Sequence, residues 1–176
     1  LNLVGTQQVA LTEKGSMEST LSAATSDTEI KGLRDRLAAD IVMVVNQDSN
    51  WCGYAWIMGS NSAGFAPNAY GAMNSGCLSN NTFVHELGHI QGLDHDRESS
   101  AGGGAYAYAY GYRRCTSDGT GFREIMAYPC SGVPLVWKFS SPNLFYNGYA
   151  MGVSYDSSPS TSAEAVRTLN NTAATA

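Results

Sequence analysis

The sequence predicts an α+β fold in two unequal parts, and three observations predict it. Ile41, Val42, Met43, Val44 and Val45 form a continuous, mostly β-branched run ended by Asn46, the pattern of a strand buried on both faces. Just before it, Ile30, Leu33, Arg34 and Leu37 recur at i, i+3, i+4 and i+7, the period of an amphipathic helix. Beyond Gly102-Gly103-Gly104 the chain turns aromatic, glycine-rich and irregular, with no sustained period.

The elements follow in order. Leu1, Leu3, Val9 and Leu11 alternate loosely, which suits one or two short strands. Asp27 is placed to cap a helix running through Ala39, with Ile30, Leu33 and Leu37 turned inward. The run from Ile41 to Val45 is then the central strand of a sheet, and Tyr54 to Met58 a second strand. The segment from Phe65 to Asn74 fits an edge strand, because Pro67 cannot donate to a ladder. Asn81-Thr82 opens a helix through about Gln91, stopped at Gly92. Alternation from Ala105 to Tyr112 suggests one more strand. A last helix spans about Ser162 to Asn171, with Ala165, Val166 and Leu169 on one face.

Composition excludes several classes of function. The net charge is -5 and no basic stripe or arm is present, so nucleic-acid binding has no electrostatic footprint. The same acidity argues against docking on anionic membranes, and no apolar run is long enough to span one. Charged residues make up only 14% of the chain, against roughly 25% in ordinary soluble domains. That leaves a surface of Ser, Thr, Asn, Gly and Tyr, as in exported proteins. The chain begins at Leu1 rather than Met, and is read as a mature, secreted form with its leader removed.

Four cysteines, Cys52, Cys77, Cys115 and Cys130, are even in number and lack the C-x-x-C spacing of a zinc or redox centre. Two disulfides in an oxidising compartment account for them better than four buried thiols. Local pairing, Cys52 with Cys77 and Cys115 with Cys130, closes loops of modest length and is the expected connectivity.

The chemistry is concentrated in His85-Glu86-Leu87-Gly88-His89-Ile90-Gln91-Gly92-Leu93-Asp94-His95. Residues four apart on a helix lie on one face, so His85 and His89 can present imidazole nitrogens to one point. Catalytic zinc takes three protein ligands and keeps a fourth position open. A glycine can adopt the left-handed conformation that stops a helix and reverses the chain. A stop at Gly92 therefore lets His95 return to the same metal, whereas a continuing helix would carry it to another face. Glu86, next to the first ligand, is placed to accept the proton of a water held at the metal and return it to a leaving amine. A lone histidine is more often a satisfied core residue than a ligand. Here all 3 histidines of the chain fall in one window at ligand spacing, which chance does not explain.

H-E-x-x-H-x-x-G-x-x-H followed by a downstream methionine turn resembles the metzincin zinc metallopeptidases. The methionine turn is matched by Glu124-Ile125-Met126-Ala127-Tyr128, and the resemblance implies that Met126 forms an apolar floor beneath the histidines. Asp96 directly after the third histidine is similar to the adamalysin, or reprolysin, group, where it steadies the loop. Leu33-Arg34-Asp35, Ala39-Asp40-Ile41-Val42, Phe139-Ser140-Ser141-Pro142-Asn143 and Arg167-Thr168-Leu169-Asn170 resemble stretches of the small bacterial members. Tyr128, two past Met126, instead resembles the astacin and serralysin turn, where the tyrosine reaches the zinc as an extra ligand. In reprolysins a proline usually stands there, and Tyr128 would then only pack against Pro129.

The resemblance implies a zincin-like fold: a twisted mixed sheet, a zinc-binding active-site helix and an irregular C-terminal part ending in a helix. Residues 1–176 would form a single catalytic domain, with subdomains of about 1–92 and 93–176. The implied activity is hydrolysis of peptide bonds by a monomer, after removal of a latency pro-segment. A peptide substrate would lie extended against an edge strand, for which Ala69 to Asn74 is the candidate. Ser131 to Ser141 would wall the pocket for the residue after the scissile bond. Its Val133, Leu135, Val136 and Trp137 suggest an apolar preference, while Lys138 or the Arg113-Arg114 pair would favour an acidic side chain, as in the peptidyl-Asp metallopeptidases.

Overall fold

A computed structural model describes residues 1–11, 15–47 and 51–175. The chain folds as two compact units, residues 1–56 with 63–90, and residues 57–62 with 91–175.

The first unit opens on a segment without regular secondary structure rather than the expected strands. Residues 1–8 are exposed, and only Val9 and Leu11 pack against the core. Two helices follow, α1 (Met17–Ser26) and α2 (Thr28–Leu37). Asp27 joins them: its N–H donates to the Ala23 carbonyl, closing α1, and its carboxylate accepts the N–H groups of Glu29 and Ile30, opening α2. The α2 helix thus begins where its cap predicts. It buries Ile30, but Leu37 is exposed, so the inward face is narrower than the periodicity suggests. Helix α1, absent from the sequence reading, supplies much of the core. Its Met17, Leu21 and Ala24 pack with Ile30, Tyr70 and Ala72.

The sheet consists of β1 (Val42–Asn46), β2 (Gly53–Ala55) and β3 (Tyr70–Asn74), in the order β1-β3-β2. The β1–β3 pairing is parallel and the β2–β3 pairing antiparallel. This inverts two expectations. The β-branched run is an edge strand, with Val45 49% exposed, whereas Tyr70–Asn74 is central, so the proposed substrate-binding edge at Ala69–Asn74 is already paired on both sides. The reason is steric. Tyr70 and Ala72 face the α1 cluster, while a Cβ on Gly71 would lie 3.4 Å from Ile90 and 2.8 Å from Met43. Small residues admit close packing here. Pro67 does no harm because it sits in a 3-10 turn (Ala63–Asn68) before the strand starts. The expected strand from Tyr54 to Met58 shortens to Gly53–Ala55. Among the described residues, β2 is the sheet's other edge.

Helix α3 (Thr82–Ile90) closes the first unit, its first amide satisfied by the Asn80 side chain at 2.8 Å. The predicted disulfide Cys52–Cys77 ties the start of β2 to the turn after β3.

The second unit is irregular. It contains three two-stranded ladders, β4 (Asp94–Asp96) with β5 (Tyr110–Gly111), β6 (Arg113–Arg114) with β7 (Phe122–Arg123), and β8 (Ser141–Tyr146) with β9 (Tyr149–Met151). The expected strand over Ala105–Tyr112 contracts to its last residues. The last helix, α4 (Ala165–Thr172), buries Ala165, Thr168 and Thr172 rather than the Val166 and Leu169 face. Cys115–Cys130 forms the second predicted disulfide.

Candidate metal centre

Helix α3 presents His85 and His89 one turn apart. Their Nε2 atoms are 3.1 Å from each other. Two nitrogens at about 2.05 Å from one tetrahedral zinc would be about 3.3 Å apart, so this spacing suits a shared metal. Gly92 has φ +88°, and beyond it the chain doubles back. A Cβ at Gly92 would lie 2.5 Å from Ala105 Cβ and 3.2 Å from the Met58 carbonyl oxygen, so both conformation and space demand glycine. Along this continuous stretch the ligand atoms of His85, His89 and His95 all lie within 4.8 Å of one another. Three imidazoles converging without a carboxylate among them match the donor set of a catalytic zinc site.

Ligation requires neutral imidazole, and the surroundings of His95 favour it. Burial lowers its pKa, while the carboxylates of Asp94 and Asp96 pull the other way. Asp94 accepts the His95 backbone N–H at 2.7 Å and the Ser100 hydroxyl at 2.5 Å, fixing the loop that carries the ligand.

Glu86 lies on α3 between the two histidines and is 4% exposed. Burial lifts its carboxyl to about 8. It packs against β2 so tightly that a Cβ on Gly53 would sit 2.4 Å from Glu86 Oε1 and 2.7 Å from its Cγ.

The methionine turn belongs to the second unit. Met126 is fully buried. Beside it Glu124, also fully buried, accepts three backbone N–H groups: Met126 at 2.8 Å and Tyr112 at 3.2 Å on Oε1, and Ser140 at 3.0 Å on Oε2. Burial raises this carboxyl to about 8 against the opposing pull of those amides. Tyr128 does not turn into the core. It is 42% exposed, and its ring lies on that of His95 with centroids 4.3 Å apart. Asp96 ties the ligand loop to this turn, accepting the Tyr128 N–H at 2.9 Å. Asp96 is itself held by Arg113, whose Nε lies 3.1 Å from Asp96 Oδ1 in a Coulombic pair not aligned as a hydrogen bond.

Sequence reasoning thus singled out His85, Glu86 and His89 on α3, His95 and Asp96 just beyond it, and Met126 and Tyr128 in the methionine turn, whereas its substrate edge, Ala69–Asn74, lies inside the sheet. It missed Gly53, Asp94 and Glu124. A repeated short-range contact leaves no period in the sequence. Only the position of Glu124 inside Glu-Ile-Met could have marked it.

The model of metallo-peptidase family M12 of the reprolysin type matches residues 3–140. A peptidyl-Asp metalloendopeptidase of Stenotrophomonas maltophilia (strain R551-3) is 35% identical over 182 aligned positions, covering 99% of this chain and 41% of that protein. One of Xanthomonas campestris pv. campestris is 35% identical over 120 positions, covering 68% of this chain and 27% of its own length. The chain thus spans about two fifths or less of the curated relatives it matches. Among solved structures, a chain described under "Structure of a chaperone-substrate complex" is similar with a TM-score of 0.62 and 23% identity, over 89% of this chain and 23% of that one. This is a likeness of fold.

Proposed function

Given that the chain belongs to metallo-peptidase family M12, we propose that it is a zinc-dependent endopeptidase, with His85, His89 and His95 as metal ligands and Glu86 as general base. The observation that carries this reading is the convergence of three imidazole donors within 4.8 Å, with a buried glutamate between two of them on the same helix. A bound zinc would supply Lewis-acid polarisation of a substrate carbonyl and lower the pKa of a water to about 7.

The chain's own residues do the rest. Glu86 accepts the water's proton as it attacks the carbonyl and passes that proton to the departing amine. Tyr128, lying on the His95 ring, donates its phenol hydrogen to the oxyanion that forms on the substrate, an electrostatic role worth about 2.7–4 kcal/mol where such donors have been removed. The substrate runs extended along β2, the sheet edge that packs against Glu86, where main-chain hydrogen bonds hold it.

Residues 1–176 act as one catalytic domain, a monomer released from a pro-segment. Secretion fits the two disulfides, which persist in oxidising compartments. The relatives described as peptidyl-Asp metalloendopeptidases support a preference for an acidic side chain at the cleavage site.

The test is proteolysis of casein and a panel of short peptides by zinc-replete protein, with and without a chelator. Cleavage that stops on chelation, returns with zinc and is lost by several orders of magnitude in Glu86→Ala is expected. Near-normal turnover by metal-replete Glu86→Ala would refute the mechanism.

A further inference from the structure

If substrates carry an acidic side chain, a cation near the methionine turn must receive it. The sequence offers Arg113, Arg114 and Lys138, and the structure engages two of these elsewhere. Arg113 uses all three nitrogens: Nε faces Asp96 at 3.1 Å, Nη2 binds Glu98 at 2.7 Å and Nη1 donates to the Tyr128 carbonyl at 3.3 Å. Arg114 donates to Thr120, lies 4.0 Å from Asp118 and covers the Tyr149 ring at 4.0 Å. Lys138 is exposed on a flexible stem.

A fourth cation fits better. Arg123 is half-buried, and its backbone is stitched to the segment after the methionine turn, its N–H donating to Pro134 at 3.0 Å and its carbonyl accepting from Val136 at 2.8 Å. Its Nη1 donates to the Ala127 carbonyl at 3.1 Å. That carbonyl directly precedes Tyr128, the residue lying on His95. The guanidinium is thus anchored at one corner, and among the described residues its Nε–Nη2 edge meets no partner and no carboxylate lies within ion-pair distance. Burial lowers the pKa of this group, with the charge of Glu124 opposing, so a counter-ion would relieve a desolvated cation. An arginine edge of this kind takes a carboxylate in two parallel bonds.

We propose that Arg123 is the specificity-determining residue, its open Nε–Nη2 edge binding the carboxylate of the substrate side chain that follows the scissile bond. This rests on the endopeptidase reading above.

The experiment compares kcat/KM for two peptides that differ only in Asp against Asn after the scissile bond. It uses zinc-replete wild type, Arg123→Gln, Arg123→Lys, Arg114→Gln and Lys138→Gln, with melting temperature and zinc content measured for each. Wild type is expected to prefer Asp. Arg123→Gln should lose about 10- to 100-fold on the Asp peptide, the range for one charge-assisted pair, mainly through KM, and stay within about twofold on the Asn peptide. Arg123→Lys, which keeps the charge but not the fork, should lose part of the preference. It decides the matter should Arg123→Gln not fold, because an unchanged Asp rate in folded Arg123→Lys overturns the proposal. So does an unchanged Asp:Asn ratio in Arg123→Gln, or its loss in Lys138→Gln or Arg114→Gln instead. Wild type that cleaves without acidic preference overturns the role of Arg123 and leaves the peptidase reading standing. No cleavage of any peptide by zinc-replete protein overturns both.

Discussion

Adding one methyl group at Gly53 should disable Glu86, the proposed general base, without touching a proposed metal ligand. A Cβ there would lie 2.4 Å from Glu86 Oε1, 2.7 Å from Glu86 Cγ and 2.6 Å from Thr82 Cγ2. Ordinary contact begins near 3.4 Å, so the overlaps amount to about 0.7–1.0 Å. Oε1 ends a side chain that can rotate, but clearing Cγ takes a new χ1 rotamer of Glu86, and the Thr82 methyl sits on the first turn of α3. Either Glu86 changes rotamer or β2 and α3 part by roughly 1 Å. Overpacking of this kind costs about 1–3 kcal/mol, which in a protein of this size lowers Tm by about 2–4 °C per kcal/mol. Misplacing a catalytic group by about 1 Å costs on the order of 100-fold in rate. Gly53→Ala should therefore bind zinc normally, melt a few degrees lower and lose about two orders of magnitude in kcat. Gly32→Ala is the control. Its Cβ would meet only the Arg36 guanidinium, at 3.4 Å, so in the interior of α2 it should stabilise by about 0.5–1 kcal/mol and leave activity unchanged. Wild-type kcat and Tm in Gly53→Ala would refute the close approach of β2 to Glu86.

Three further outcomes follow from the site. In chelator-treated protein, Glu86 binds its proton more tightly folded, at about 8, than unfolded, near 4.5. The folded state then holds more protons across that window, so stability should fall as pH rises from about 4.5 to 8, by up to about 1.4 kcal/mol per pH unit from this group. Glu124, also raised to about 8, adds a like slope over that window, so Glu86→Gln should about halve the dependence, and an unchanged slope in urea titrations at several pH values would contradict the assignment. Glu124→Gln should cost about 1–3 kcal/mol, because the amide NH2 would face backbone donors on whichever oxygen it replaces. Chemical denaturation showing wild-type stability would exclude the three-amide arrangement. Tyr128→Phe should lower kcat more than it raises KM, the mark of an interaction made mainly in the transition state. An unchanged kcat would leave the ring as a cover on His95.

The metal helix is readable in the sequence because its information is local. The spacing of His85 and His89 sets one helix face, and Gly92, with φ +88°, supplies the only backbone that returns His95. The Asp27 cap and both disulfides are local in the same sense. Sheet order is not local. The β-branched residues of β1 report burial but name no neighbours, whereas Gly71 and Ala72 look like loop composition yet form the strand that small side chains allow at the centre. Helix α1 escapes notice because half its buried face is Thr20 and Ala24, which give little hydrophobic contrast. The last helix hides its buried threonines, Thr168 and Thr172, for the same reason. The partners of Glu124 are scattered over nearly thirty residues, and a carboxylate bonded to amides imposes no side-chain pattern on them.

That last feature bears on how freely the chain can change. The buried carboxylate of Glu124 asks its partners only for amide hydrogens, which every residue except proline supplies. Side-chain changes at Tyr112, Met126 and Ser140 therefore leave these three bonds in place unless proline is introduced, while Gly111, whose Cβ would meet Oε1 at 2.6 Å, must stay small. If Arg123 sets the cleavage preference, replacing it would leave the anchoring of Glu124 intact, because that carboxyl is held by main-chain amides rather than by side chains.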